Sequence, residues 1–346
     1  MPELSIQNFL PKAIQYLQET RPEGVPHWQP DQVFSVTPLA QGEYNLNFLV
    51  RQGEFRWVLR INSRSEIGLS NADQITYEYR TLQLLAPISV APQPYFVDSN
   101  LSHLPHGVLG MEYFPGEFLD YRRDLTAAAR LMARYHQLTI PDEQIHLRRE
   151  AHPLTQTYQH CREMAEVYLT SDLANHDLSA YLREVLAWAE GARHREDYFL
   201  RDPWQCIINT EVNNTNWIVD RTTNAIHLVD WDKPMWGDPS HDLSHFRVPT
   251  TTLWKTDQRL STAEQDRLMT AYKDVITDPH LRDTIEERTR LRDPFNCLRA
   301  ITWSAMAWVQ YQRDEHLVKN PDTFRKFLLY TDLGFVHSIF DPYLNS

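Results

Sequence analysis

Apolar side chains near the start of the chain recur at helical intervals, with Phe9, Leu10, Ile14 and Leu17 on one face, and predict a helix from Ile6 to Thr20. A proline-bearing segment at 21–30 ends that pattern. From Val33 to Ile61 the reading changes to β-structure. Three short runs, at 34–39, 45–51 and 55–61, are rich in aromatic and β-branched residues and are separated by Gly42 and by the Gln52-Gly53 turn. Ile75, Tyr79, Leu82 and Leu85 line one face of a helix within 71–85, and two more strands are expected at 94–97 and 107–113. Pro115 and Gly116 close this strand-rich half. From Asp124 onward the spacing is mainly helical, interrupted by β-like runs at 206–208, 217–219 and 226–229. Strands first and helices later predict an α+β architecture, not a doubly wound sheet. The sequence contains no internal repeat or low-complexity segment.

A length of 346 residues exceeds one average domain, so two lobes or two domains are expected. Hydrophobic residues make up 42% and charged residues 23%, enough apolar material for a sizeable core. The 46 acidic side chains outnumber the 34 basic ones, for a net charge of −12. That argues against nucleic acid as the main partner, because phosphate backbones are held largely by Lys and Arg. Cys161, Cys206 and Cys297 are far apart and odd in number, which supports neither a disulfide framework nor a zinc site. Fifteen histidines show no ligand spacing beside cysteines. The N-terminal residues carry no basic segment followed by a long apolar run, so neither a signal peptide nor a membrane span is expected, and the cytoplasm is the expected compartment.

The most informative stretch begins at Cys206. Glu211 precedes Asn216 by five residues, and Asp230 then closes an apolar strand. An acid that can orient a hydroxyl, with an Asn and an Asp able to share Mg²⁺, is the set that phosphoryl transfer from ATP requires in a kinase-type site. Asn209-Thr210-Glu211, Asn216, Val229-Asp230-Trp231-Asp232, Gly237-Asp238-Pro239 and Asp242-Leu243 follow one another as an ordered series. That series resembles the aminoglycoside phosphotransferase and choline kinase-like family, the small-molecule branch of the protein-kinase fold. The family reads H-G-D, five further residues ending in Asn, a strand, I-D-W/F-E, then G-D-P and D-L. This chain departs at each position of the first triplet, with Asn209 for His, Thr210 for Gly and Glu211 for Asp.

The resemblance implies a bilobal protein-kinase-like α+β fold: an N-terminal helical extension at 1–30, a small strand-rich nucleotide-binding lobe at 31–114, and a larger, mainly helical catalytic and acceptor-binding lobe at 115–346. It implies an ATP- and Mg²⁺-dependent phosphotransferase acting on a hydroxyl of a small molecule that is aminoglycoside-, choline- or sugar-like. Glu211 stands at the catalytic-base position, and Asn216 and Asp230 at the Mg²⁺ ligands. Asp242 matches the acid that braces the catalytic loop. Asp238 reads equally as a helix cap. Arg60, in the third strand, matches the basic residue that grips the α/β-phosphates, and Glu78 the helix carboxylate that holds it; alone, Arg60 reads as an edge-strand arginine in a surface ion pair. The turn Gln41-Gly42-Glu43-Tyr44-Asn45 stands where the family's backbone approaches the phosphates, and Leu109 to Gly116, with Glu112 and Tyr113, where adenine meets the strand end. Each of these is, by itself, an ordinary turn or core strand.

Trp303 and Trp308, in a helix at 298–312, and Trp236 point to a flat or cationic acceptor if they line its site, since aromatic faces attract quaternary ammonium groups. At helical spacing they read equally as core. His136 reads as a satisfied core histidine. A rival reading follows from Glu211 and Asn209: a nucleotide-binding pseudokinase without transfer activity. One extra methylene displaces the carboxylate by roughly 1 Å, enough to cost about 10²-fold in rate unless the backbone has adapted. The acceptor's identity and the oligomeric state have no signature in the sequence.

Overall fold

A computed structural model describes residues 5–42, 44–313 and 321–345. Eleven strands are seen among these: β1 Ser35–Gln41, β2 Asn45–Gln52, β3 Phe55–Asn62, β4 Pro94–Asp98, β5 Val108–Glu112, β6 Glu117–Phe118, β7 Arg148–Arg149, β8 Cys206–Ile208, β9 Trp217–Val219, β10 Ile226–Leu228 and β11 Met235–Gly237. The α-helices are α1 Ile6–Thr20, α2 Asn71–Leu85, α3 Tyr121–His136, α4 Pro153–Leu169, α5 His176–Ala192, α6 Asp197–Leu200, α7 Ser240–Arg247, α8 Pro249–Lys255, α9 Thr262–Lys273, α10 Pro279–Gln312, α11 Pro321–Tyr330 and α12 Leu333–Leu344. The α+β class is observed, with a strand-rich N-terminal sheet and a helical C-terminal part. The chain folds into two compact units, neither continuous in sequence. One comprises Met1–Phe118, Thr139–Leu147 and Asn216–Pro234; the other comprises Leu119–Leu138, Arg148–Thr215 and Met235–Ser346.

The first unit is built on an antiparallel five-stranded sheet in the order β1-β2-β3-β5-β4. Side chains alternate between the two faces of a strand, so cross-strand partners share a face. Leu46↔Ile61, Phe48↔Leu59 and Val50↔Trp57 pair on one face and form a core with Phe9, Ala13, Tyr16 and Leu17 of α1. The N-terminal helix is thus part of this unit's core, capped by the Ser5 side chain, which accepts from the Asn8 N–H. The opposite face carries Asn45↔Asn62, Asn47↔Arg60 and Leu49↔Val58. That face continues to Arg51↔Arg56, so it carries three asparagines and three arginines, of which Asn45, Asn62 and Arg60 are buried while Arg51 is exposed. Gly110 on β5 permits a close approach: a Cβ there would lie 2.2 Å from the Phe96 ring. A small sheet in the order β10-β9-β6 completes the unit.

The second unit is mainly helical. Its core gathers Leu154, Cys161 and Met164 of α4, Leu182 and Val185 of α5, and Leu298 and Ile301 of α10, with α12 contributing Val336 and Phe340. β8 pairs antiparallel and β7 pairs parallel with β11, so β11 lies between them. Strands of two or three residues are too short for alternation to register, and β6, β7 and β11 have no signature in the hydrophobic pattern. The three cysteines are buried and unbridged. Among the described residues no helix is long and apolar enough to cross a membrane.

Candidate active site

In the first unit Arg60 is the centre of a buried charge cluster. β3 lies between β2 and β5, so Arg60 sits on an interior strand, and its side chain is only 4% exposed. Its Nε lies 3.0 Å from Glu78 Oε2 on α2, and its Nη2 pairs with Asp230 and lies 3.8 Å from Asp232 Oδ2. Its Nη1 donates to Asn47 Oδ1 at 3.3 Å. Burial opposes the charge on Arg60, but Glu78, Asp230 and Asp232 outweigh it and hold the guanidinium above its ordinary value. Three carboxylates around one cation cannot all ionise freely. Burial pushes Glu78 up, Arg60 opposes and Asp230 adds to the rise, leaving it at about 7. Asp232 is also held well above the usual carboxylate range, by burial and then by Asp230.

Asp230 has φ +63°, in the left-handed region, which Asp and Asn tolerate better than most side chains. Its placement follows from the β9–β10 ladder. Leu228 pairs with Trp217, and the Val229 N–H donates to the Asn216 carbonyl at 2.8 Å, so Asn216 and Asp230 emerge from the same end of the hairpin. The Trp231 indole, fully buried, donates to the Leu228 carbonyl at 2.8 Å and fixes the turn after the strand. One carboxylate and one amide oxygen at a single ladder end are hard donors of the kind Mg²⁺ takes, with nucleotide phosphates and waters completing its shell. Among the described residues no group of three or more His, Cys, Asp or Glu is gathered as a self-sufficient metal site.

The other expected residues of this unit lie at strand ends. Gly42 donates its N–H to the Asn45 carbonyl at 3.0 Å, closing the turn into β2. Its φ is not left-handed, and a Cβ would meet only the Asn45 carbonyl, at 3.8 Å. Among the described residues, neither conformation nor packing demands glycine there. Glu43, in the same turn, lies outside the described residues. Glu112 ends β5; its N–H donates to the Gln93 carbonyl at 2.9 Å, and its carboxylate, raised by burial, accepts from the Gln93 N–H at 3.2 Å. Tyr113 follows, with the Arg56 guanidinium over its ring at 5.3 Å.

In the second unit the loop after β8 carries Asn209, Thr210 and Glu211. Asp242, fully buried on α7, accepts from the Asn209 N–H at 2.8 Å and the Thr210 N–H at 2.9 Å. It also accepts from the Tyr135 hydroxyl at 2.6 Å and faces His136 Nε2 at 3.3 Å. His136 in turn meets the Tyr272 hydroxyl at 2.9 Å, so it is a bonded core histidine. Thr210 has φ +74°, a strained conformation that the two N–H bonds to Asp242 hold in place. The Asn209 side-chain oxygen accepts from the Glu211 N–H at 3.0 Å. Glu211, half-buried, therefore leaves a loop pinned at each of its three backbone positions.

Asp242 gives a pH prediction. Burial raises its pKa, but the His136 and Tyr135 hydrogen bonds and nearby positive charge overcome this and lower it from 3.8 to about 2. A depressed carboxylate stabilises the fold above its unfolded pKa, and that contribution is lost as pH falls through the folded value. The loss, on the order of 2 kcal/mol, is expected between about pH 4 and pH 2. Urea unfolding across that window should show a shallower acid limb in Asp242→Asn than in the parent; identical limbs would remove Asp242 as the source.

A second buried network joins Asp238, of the Gly237-Asp238-Pro239 motif, to residues that no motif announces. Arg292, on α10, makes a bidentate pair with Glu150, at 2.7 and 2.8 Å, with both side chains under 5% exposed. Glu150 also accepts from the Asp238 N–H at 3.3 Å and contacts His241 Nδ1 at 3.3 Å. One turn earlier Arg288 reaches Asp238 Oδ2 at 2.6 Å and Asp202 Oδ2 at 2.7 Å. Asp238 Oδ1 accepts from the Ser240 N–H at 3.0 Å at the start of α7. The i, i+4 spacing of Arg288 and Arg292 was the available signal, but on sequence alone it is that of a solvated helix face.

The aromatic candidates pack inward. Trp236 is on the central strand of the small sheet and 8% exposed. Trp303 packs edge-on against Trp254 and Phe327, with centroids 5.7 and 5.4 Å away, and Trp308 meets Tyr168 at 6.0 Å. Trp303 and Trp308 remain partly exposed.

Comparison with known proteins agrees with this organisation. No curated protein sequence matches the chain. Among solved structures, Plasmodium vivax ethanolamine kinase superposes with a TM-score of 0.65 at 12% identity, over 95% of this chain and 88% of that one. Spectinomycin phosphotransferase, solved with ADP and spectinomycin, gives 0.61 at 12% identity, over 95% and 96%. Choline kinase from Cryptosporidium parvum Iowa II gives 0.57 at 14% identity, over 96% and 99%. At these identities the likeness is one of fold. The sequence itself matches the model of the phosphotransferase enzyme family over residues 35–288, most of its length and the whole span from β1 to the Arg288 network, and the chain belongs to that family.

Proposed function

We propose that this small-molecule phosphotransferase uses ATP and Mg²⁺ to phosphorylate a hydroxyl of an aminoglycoside-, choline- or sugar-like acceptor. The observation that carries the reading is the Arg60–Glu78–Asp230 cluster, with Asp230 in a left-handed conformation beside Asn216. Arg60, set by Glu78, grips phosphate oxygens with its planar fork. Gly42 lets the turn before β2 approach the phosphates, and the strand end at Glu112 and Tyr113 offers backbone groups to the adenine edge. Asn216 and Asp230 hold Mg²⁺, which when bound neutralises charge on the phosphoryl oxygens. Glu211, five residues before Asn216 along the chain, orients the acceptor hydroxyl and accepts its proton. Asp242 acts on Glu211 through the Asn209 and Thr210 backbone.

The substitution of Glu211 and Asn209 for Asp and His favours a second reading, a nucleotide-binding protein without transfer. Against it stand the two N–H bonds to Asp242 and the Asn209–Glu211 contact, which give the longer carboxylate an ordered loop. Glu211→Gln keeps length and removes the charge. Transfer is expected to fall about 10²-fold or more while Mg·ATP affinity stays near the parent's. Glu211→Asp should also lower transfer, because the shorter arm stops short of the hydroxyl. An active parent indifferent to both changes would take Glu211 out of the mechanism.

A further inference from the structure

Asn45 is the first residue of β2 and the last of the turn that contains Gly42, and it is 5% exposed. Its side chain is used at both ends. Nδ2 donates to Asp232 Oδ2 at 3.0 Å, and Oδ1 accepts from Asn62 Nδ2 at 3.2 Å. Its carbonyl accepts the Gly42 N–H that closes the turn. Asp232 is itself fixed by its neighbours: its carbonyl accepts from Gln74 of α2, Lys233 pairs with Glu66, and the Pro234 carbonyl accepts from Tyr77. The segment after Asp230 is therefore clamped to α2 and to the loop before it, and the Asn45–Asp232 bond ties that segment to the start of β2. Burial removes the water that would compete for such a bond.

We infer that Asp232 is a positioning residue: through Asn45 it sets Gly42 and the start of β2 in register with Asp230, so that a hydrogen bond links the backbone meant for phosphate to the segment that carries the carboxylate meant for metal. The inference rests on the nucleotide reading above. It separates Asp232 from Asp230 in role. Asp230 faces the ligand, whereas Asp232 holds the turn through Asn45 and also neighbours Arg60 Nη2 at 3.8 Å, which is why the Asn45 variants are the deciding arm of the test.

The test is calorimetric binding of ATP and of adenosine, with EDTA and with Mg²⁺, to the full chain and its variants. Asp232→Ala removes the acceptor and should weaken ATP about tenfold, leaving adenosine within about twofold. Asp232→Asn keeps an acceptor oxygen and should recover most of that loss. Asn45→Asp sets two carboxylates against each other and should weaken ATP similarly. Asn45→Asp with Asp232→Asn restores a donor–acceptor pair and should regain affinity. If Asn45→Asp does not fold, Asn45→Ser, which shortens the link without adding charge, should show the same ATP-selective loss. A double variant no tighter than Asn45→Asp overturns the inference. So does adenosine weakening in step with ATP, which would make the link merely structural, and so does a loss in Asp232→Asn seen only with Mg²⁺, which would make Asp232 a metal ligand. A parent that binds neither ATP nor adenosine overturns the nucleotide reading and this inference with it.

Discussion

Asp230→Asn should reduce phosphoryl transfer by about 10³-fold while leaving the fold intact, since a fixed charge placed where transition-state charge develops is worth 10²–10³ per group. Three features make this the most damaging single change. Asp230 shares its ladder end with Asn216, is the more exposed of the two aspartates that face Arg60, and stands in a conformation held by the β9–β10 ladder and the buried Trp231. Asn has the same shape and accepts the same left-handed φ, so strain is not introduced. Arg60 keeps Glu78 and Asp232 as partners, so its charge stays compensated. Mg·ATP binding should weaken together with transfer, whereas ATP binding in EDTA should not. Equal Mg·ATP affinity in parent and variant would remove Asp230 from the metal site.

Arg292→Leu should be the most destabilising single substitution in the helical unit, at about 3–5 kcal/mol, because it strands the buried Glu150 carboxylate. For a unit of this size that is a fall in Tm on the order of 10 °C. Glu150 lies well below the ordinary carboxylate range: burial raises its pKa, but Arg292 and His241 lower it further, so without Arg292 the group must protonate or rearrange. Adding Glu150→Gln to Arg292→Leu removes both charges yet keeps an acceptor oxygen for the Asp238 N–H and turns an amide N–H toward His241 Nδ1. The double variant should regain most of the lost Tm. Thermal unfolding by circular dichroism checks both, and a double variant as unstable as Arg292→Leu would show that the ion pair is not the source of the loss.

The two networks also mark where sequence reasoning works and where it stops. α1 and α2 were legible from apolar residues at helical spacing, and β1 to β3 from runs of aromatic and β-branched residues set off by turn residues. The ordered series from Asn209 to Leu243 was legible because its chemistry is local. Arg60 and Glu78 could be paired only through the resemblance, since strand and helix spacing do not say which carboxylate an arginine meets. Glu150 and Arg292 are 142 residues apart, and the bond from Asn45 to Asp232 spans 187, so no local pattern announces either. Arg288 and Arg292 carry no local sign of burial, because charge on a helix ordinarily faces solvent; here both are about 1% exposed. The segment 216–234 belongs with the N-terminal strands for the same reason. Its contacts with α2, through Gln74 and Tyr77, are set by tertiary packing that the helix's own periodicity does not record.

Transfer of labelled γ-phosphoryl from ATP by the parent protein, offered a panel of small amino-alcohols, aminoglycosides and sugars with Mg²⁺, tests the central claim most directly. The account predicts a labelled phosphate ester on at least one acceptor class, formed in proportion to enzyme and abolished by Asp230→Asn. A parent that binds Mg·ATP yet labels none of them, or labels one equally well as Asp230→Asn, would contradict it.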